Sequence, residues 1–147
     1  MHVHNDRPIG AAGLVAMIVL MTAWTTNLQV IAAASSNILQ LTAATFYPAI
    51  HSDEAVMVQF YAPWCKHCKE LAPEYEMAAV RLKMLSSDTV LAKVDCVTED
   101  ALCDGQDVQA YPTLKVYRNG RSRNYAGELT AGAIVSFLQA WTSYHLF

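Results

Sequence analysis

Two cysteines three positions apart stand directly after an apolar run in Phe60-Tyr61-Ala62-Pro63-Trp64-Cys65-Lys66-His67-Cys68-Lys69. A thiol at the start of a helix meets unpaired backbone N–H groups and the positive end of the helix dipole, both of which favour the thiolate. A second thiol nearly one turn on can swing beneath it and close a small ring. Because the reduced thiolate is itself stabilised, a disulfide between Cys65 and Cys68 is readily reversed. Lys66 and His67 act in the same sense: a cation beside Cys65 favours the reduced form and makes the disulfide a better oxidant. Pro63 and Trp64 offer an apolar approach to the sulfur. Two other uses compete with a redox couple. A zinc clip wants a second close pair, but Cys96 and Cys103 are seven positions apart, a poor match to zinc-ribbon spacing; His67 and His51 remain as further ligands for such a site. A structural staple would close almost no loop and add little stability.

Such a pair needs a strand to deliver it and a helix to hold it. Ala55–Tyr61 is apolar on both alternating faces except at Gln59, the pattern of a strand in the middle of a covered sheet. Leu71, Tyr75, Ala78, Ala79, Leu82 and Leu85 recur at helical spacing, which predicts a helix over about 65–85, bent at Pro73. Asn37–Leu41 and Thr89–Asp95 read as further strands. Thr42 can cap a short helix through Phe46, with Pro48 limiting it, and a short helix is expected over about Asp100–Gln106. Thr113–Tyr117 and Ser122–Tyr125 form a hairpin around Asn119-Gly120. Ile134, Phe137, Leu138 and Trp141 then mark one apolar stripe on a last helix from about Thr130. The order β-α-β-α-β-α-β-β-α predicts an α/β fold, a mixed sheet with helices on both faces.

The chain of 147 residues has one domain's worth of sequence after its first third. Arg7 precedes an uncharged apolar stretch from Ile9 to Trp24, and small residues around Ala32–Ala34 fit a cleavage site. Residues 1–34 therefore read as a secretory signal peptide cut after Ala34, ahead of a domain over 35–147, with an uncleaved membrane anchor as the rival. A cleaved leader would leave no membrane association. The net charge of −3 and the lack of a basic stripe argue against nucleic acid. The leader leads to the expectation of the endoplasmic reticulum lumen or secretion; the ending Tyr144-His145-Leu146-Phe147 is not a KDEL-type signal and does not choose between them.

Several of these features together resemble the catalytic thioredoxin-like domain of protein disulfide isomerases. They are Tyr61-Ala62-Pro63-Trp64-Cys65-Lys66-His67-Cys68-Lys69, Pro73 eight residues after Cys65, Lys93-Val94-Asp95 closing a strand, and Tyr111-Pro112-Thr113. The resemblance covers about Asn37 to Trp141. It implies the thioredoxin fold, with Cys65 as attacking thiol and Cys68 as resolving thiol. It also implies a cis bond before Pro112, with Trp64, Tyr111 and Pro112 receiving an extended protein substrate that carries thiols or disulfides. No cofactor or metal is implied, and a redox partner enzyme would reset the couple.

The chain departs from that family in four places. Lys66 replaces the usual Gly between the cysteines, which points to an oxidising couple. Gln59 stands where the family has a buried acid that takes the proton of the resolving thiol. Lys93 matches the lysine that pairs with that acid. Steps in which Cys68 attacks are thus expected to be slowed, and Gln59→Glu to accelerate them, unless Asp95 substitutes. Gln109 replaces an Arg found near the Tyr-Pro pair. Finally, Cys96 and Cys103 are additional: too far apart for a disulfide within one helix (roughly 10 Å of rise), they can bond if one ends the strand and the other lies on the next helix, or they are two small buried hydrophobes. A thiol–disulfide oxidoreductase is the expected function. A thioredoxin-fold adaptor or chaperone module with weak catalysis is the alternative.

Overall fold

The computed structural model describes residues 37–144, so the expected signal peptide at 1–34 lies outside the described residues. The elements follow in the order β1 (Ile38–Leu41), α1 (Ala43–Ile50), β2 (Ala55–Tyr61), α2 (Lys66–Met84), β3 (Thr89–Asp95), α3 (Asp100–Gly105), β4 (Thr113–Arg118), β5 (Arg121–Asn124) and α4 (Ala131–Tyr144). The strands form one sheet in the spatial order β1-β3-β2-β4-β5. β3 pairs in parallel with β1 and β2, while β4 runs antiparallel to β2 and β5. This is the thioredoxin fold. No helix among the described residues is long and apolar enough to cross a membrane.

β2 is central, and alternation sorts its side chains between two cores. Met57 joins Leu71, Tyr75, Leu82, Leu91, Ile134 and Leu138 beneath α2 and α4. Val56, Val58 and Phe60 point the other way, onto Phe46, Ile50, Leu102 and Tyr117. Helices therefore cover both faces. Gln59 and Tyr61 have the parity of Met57, which puts them on the α2 side. α2 is clamped to the sheet by Tyr75, fully buried, whose hydroxyl donates to the carbonyls of Met57 (2.8 Å) and Ala92 (3.1 Å). Burial holds that phenol neutral by pushing its pKa well above the usual tyrosine value.

Two local expectations change. The first helix does not stop near Phe46 but runs through Pro48 to Ile50. Phe46 and Ile50, one turn apart on either side of the proline, are both buried, and this packing offsets the hydrogen bond Pro48 cannot donate. The start of α1 is held as well: the Thr42 N–H donates to Thr45 Oγ1 (3.0 Å) and the Ala43 N–H to the Glu99 carboxylate (2.9 Å). β5 starts at Arg121 rather than Ser122. Asn119 and Gly120 both have positive φ (51° and 74°), so the two-residue turn pairs Arg118 directly with Arg121.

Candidate active site

The N-terminus of α2 lies just past the end of β2, and Cys65 caps it. Its backbone is extended (φ −70°, ψ 120°), and its Sγ accepts the Cys68 backbone N–H at 3.2 Å. This is the helix-start environment that favours a thiolate. Cys65 and Cys68 are joined in a disulfide with Cα atoms 5.3 Å apart, and both are nearly buried (6% and 5% exposed). Ala62 completes their small cluster, against which Tyr61 and Tyr111 pack.

The Tyr111–Pro112 bond is cis and precedes β4 directly. Trp64, 70% exposed, meets the Tyr111 ring edge-on with centroids 6.0 Å apart. The loop is tied by Thr113 Oγ1, which donates to the Ala110 carbonyl at 2.7 Å. Residues from two distant stretches thus make one apolar shelf beside the cysteines. Gln109 is turned to Asp107, donating to its carboxylate at 2.8 Å.

Lys66 and His67 sit on the solvent side of α2. Both reach Glu70: Lys66 Nζ lies 3.7 Å from Oε1, and His67 Nδ1 lies 3.1 Å from Oε2. Glu70 was missed on the sequence, although its i+4 and i+3 spacing from two basic residues is the signal that finds it. Its carboxylate offsets the Lys66 charge beside Cys65 and accepts the His67 ring as a partner.

On the inner side, a cavity of about 130 Å³ opens beside Cys68, lined by Gln59, Tyr61, Ala62, Pro63, Cys68, Lys69, Ala72 and Lys93. Strand register explains the grouping: Gln59 pairs with Lys93 and Tyr61 with Asp95. Gln59 is 4% exposed. The Lys93 ammonium lies over the Tyr61 ring, 6.0 Å from its centroid. Burial, and then the Asp95 charge, push the Tyr61 phenol pKa up, so it stays neutral near pH 7. Asp95 itself is not part of the lining; its carboxylate accepts the Val97 N–H at 2.9 Å.

Cys96 follows β3 directly and Cys103 lies in α3; the two are joined in a buried disulfide with Cα atoms 5.7 Å apart. They do not share one helix, so helical rise does not separate them. His51 lies at the opposite end of β2 from Cys65, its Nδ1 2.8 Å from the Tyr47 carbonyl. The structure therefore does not bring His51 and His67 together.

The thioredoxin family model matches residues 37–140. A probable protein disulfide-isomerase A4 of Caenorhabditis elegans is 46% identical over 101 residues, covering 69% of this chain and 16% of that protein. A protein disulfide-isomerase of Aspergillus oryzae is 44% identical over 108 residues, 73% of this chain and 21% of that one. The chain thus spans about a fifth of the length of the curated relatives it matches. Among solved structures, the first thioredoxin domain of mouse protein disulfide-isomerase A4 superimposes with a TM-score of 0.69 at 32% identity, covering 77% of this chain and 81% of that one. The J-Trx1 fragment of ERdj5 gives 0.68 at 30% identity, covering 73% and 52%.

Proposed function

The chain belongs to the thioredoxin family, with a domain of the kind found in protein disulfide isomerases, and on that premise we propose that it is a thiol–disulfide oxidoreductase acting on secretory-pathway proteins through Cys65 and Cys68. The observation that carries this is the capping geometry: the Cys65 sulfur holds a helix N–H while bonded to a thiol partner one turn on. In the oxidising direction, a client thiolate attacks Cys65 Sγ, breaking its bond to Cys68, which leaves as a thiolate. A second client thiolate attacks the client sulfur of the mixed disulfide, forming the client disulfide and releasing Cys65. Two electrons pass from client to protein, so no cofactor is required. Reduction is the reverse sequence. A separate redox enzyme would return the couple to its working state.

Trp64, Tyr111 and Pro112 form the surface on which an extended client would lie. Lys66 and His67 bias the couple toward oxidising clients, an effect moderated by Glu70. The apolar stretch from Ile9 to Trp24 and the small residues before Ser35 support delivery to the endoplasmic reticulum lumen or secretion, with cleavage after Ala34. Trapping tests the function. With Cys68→Ala, Cys65 cannot be released by its neighbour, so mixed disulfides formed by its attack on disulfide-bonded or scrambled client proteins should accumulate and vanish in the Cys65→Ala, Cys68→Ala double variant. No adduct across a range of clients would instead favour a thioredoxin-fold adaptor with weak catalysis.

A further inference from the structure

The cavity beside Cys68 is lined by two lysines and no carboxylate. Four residues with polar or titratable side chains line it with Cys68: Gln59 and Tyr61 from β2, Lys69 from α2 and Lys93 from β3. Gln59 is neutral at every pH, and the Tyr61 phenol is held neutral near pH 7. The nearest carboxylate along β3, Asp95, lies outside the lining; it accepts the Val97 N–H and its charge acts on Tyr61. Lys66, His67 and Glu70 satisfy one another on the outer side of the helix. Among the described residues Lys93 makes no ion pair; its ammonium rests over the Tyr61 ring instead. Tyr111 packs against the cysteine pair from its loop. Lys69 is exposed, so water screens it more than it screens half-buried Lys93.

We infer that Lys93 is a positioning residue for the second half of the reaction: its ammonium, left without a carboxylate partner by Gln59, stabilises the Cys68 thiolate across this cavity. A nearby opposite charge favours the ionised form of a thiol, and the cavity that both residues line is partly open to solvent, so the interaction is screened less than on a free surface but not fully spared. The step served is the release of a client held on Cys65. Cys68 gives its proton to water at the cavity mouth. Its thiolate attacks Cys65 Sγ, the bond from Cys65 to the client breaks, the Cys65–Cys68 bond forms, and the client leaves as a thiolate that takes a proton from solvent. The client is reduced by two electrons and the protein dithiol is oxidised. Gln59 thereby acquires a second consequence, on the Cys68 thiol equilibrium, beside the expected effect on the rate of proton removal. A carboxylate at position 59 would neutralise Lys93 and repel the thiolate.

This rests on the oxidoreductase function, but its test does not require activity. With Cys65→Ser, Cys68 is the one free thiol while Cys96 and Cys103 stay bonded. The pH dependence of its alkylation by iodoacetamide then reports the thiolate fraction separately from access. Adding Lys93→Met should cut the rate at pH 7 about tenfold by moving the whole profile to higher pH, by about one pH unit. Lys93→Arg should restore the profile. Gln59→Glu should shift it upward as well, whereas Lys69→Met should move it little. Near-UV circular dichroism on each variant checks that the fold persists; if Lys93→Met does not fold, Lys93→Gln and Gln59→Glu carry the comparison. An unchanged profile on removing the Lys93 charge, or faster alkylation with Gln59→Glu, would overturn the inference. Failed trapping with Cys68→Ala would instead strike at the oxidoreductase function and leave this titration standing.

Discussion

Lys66, His67 and Glu70 show how a residue's charge depends on its neighbours as much as on its type. On the sequence, two basic residues between the cysteines argue for an oxidising rather than a reducing couple. In the structure both are turned to solvent and share one carboxylate. Glu70→Gln should release them, favour the Cys65 thiolate and make the couple more oxidising. Because the pairs are exposed, each is worth roughly 0.2–1 kcal/mol, so the dithiol-to-disulfide ratio in a fixed glutathione buffer should rise about two- to threefold. An unchanged ratio, with Lys66→Gln also silent, would mean that these cations do not reach the sulfur electrostatically. Cys65 and Cys68 were legible in the sequence because their identity, spacing and position after a buried strand all bear on the chemistry. The cavity beside Cys68 was legible only in part. Gln59 and Lys93 could be singled out, but their meeting with Cys68 depends on a parallel strand register and on how α2 crosses β3, and neither is a local property of the chain.

At the scale of elements, strand and helix types followed from hydrophobic period, and boundaries were set by packing. α1 passes through Pro48 because Phe46 and Ile50 bury on both sides of it, a tertiary effect that proline's local preference does not contain. Two attachments hold the elements that present the site, and each can be tested. Tyr75 ties α2 to β2 and β3; Tyr75→Phe should lower unfolding free energy by about 1 kcal/mol in a urea titration. An unchanged midpoint would show that the hydroxyl contributes nothing beyond packing. The Cys96–Cys103 disulfide joins the end of β3 to α3, ahead of the segment that leads to Tyr111. For a loop this short, loss of the bond in the Cys96→Ala, Cys103→Ala variant should cost about 2 kcal/mol. Alkylation of reduced Cys65 should persist in that variant, and its loss would place the second disulfide in the redox chemistry itself.

At the level of the folded domain, the two largest buried titratable side chains among the described residues, Tyr75 and Tyr117, set an alkaline limit. Burial pushes the Tyr75 phenol, and the Tyr117 phenol with a further contribution from Tyr47, above the ordinary tyrosine range. Both groups therefore remain protonated in the folded protein at a pH where the unfolded chain ionises, near about 10. Their contribution is fully present below that pH and is lost as pH rises above it. Unfolding midpoints should be level on this account from neutral pH to about 9 and fall beyond about 10, with Tyr75→Phe flattening part of that fall. Whether Cys65 and Cys68 form a working redox couple biased toward oxidation is measured by equilibrating the protein in glutathione buffers of graded potential and following the two thiols by alkylation and mass. One two-electron transition is expected, absent in Cys65→Ala, at a potential clearly above the about −270 mV of thioredoxin. A transition at or below that value would contradict the oxidising bias, and no reversible transition at Cys65 and Cys68 would contradict the redox function.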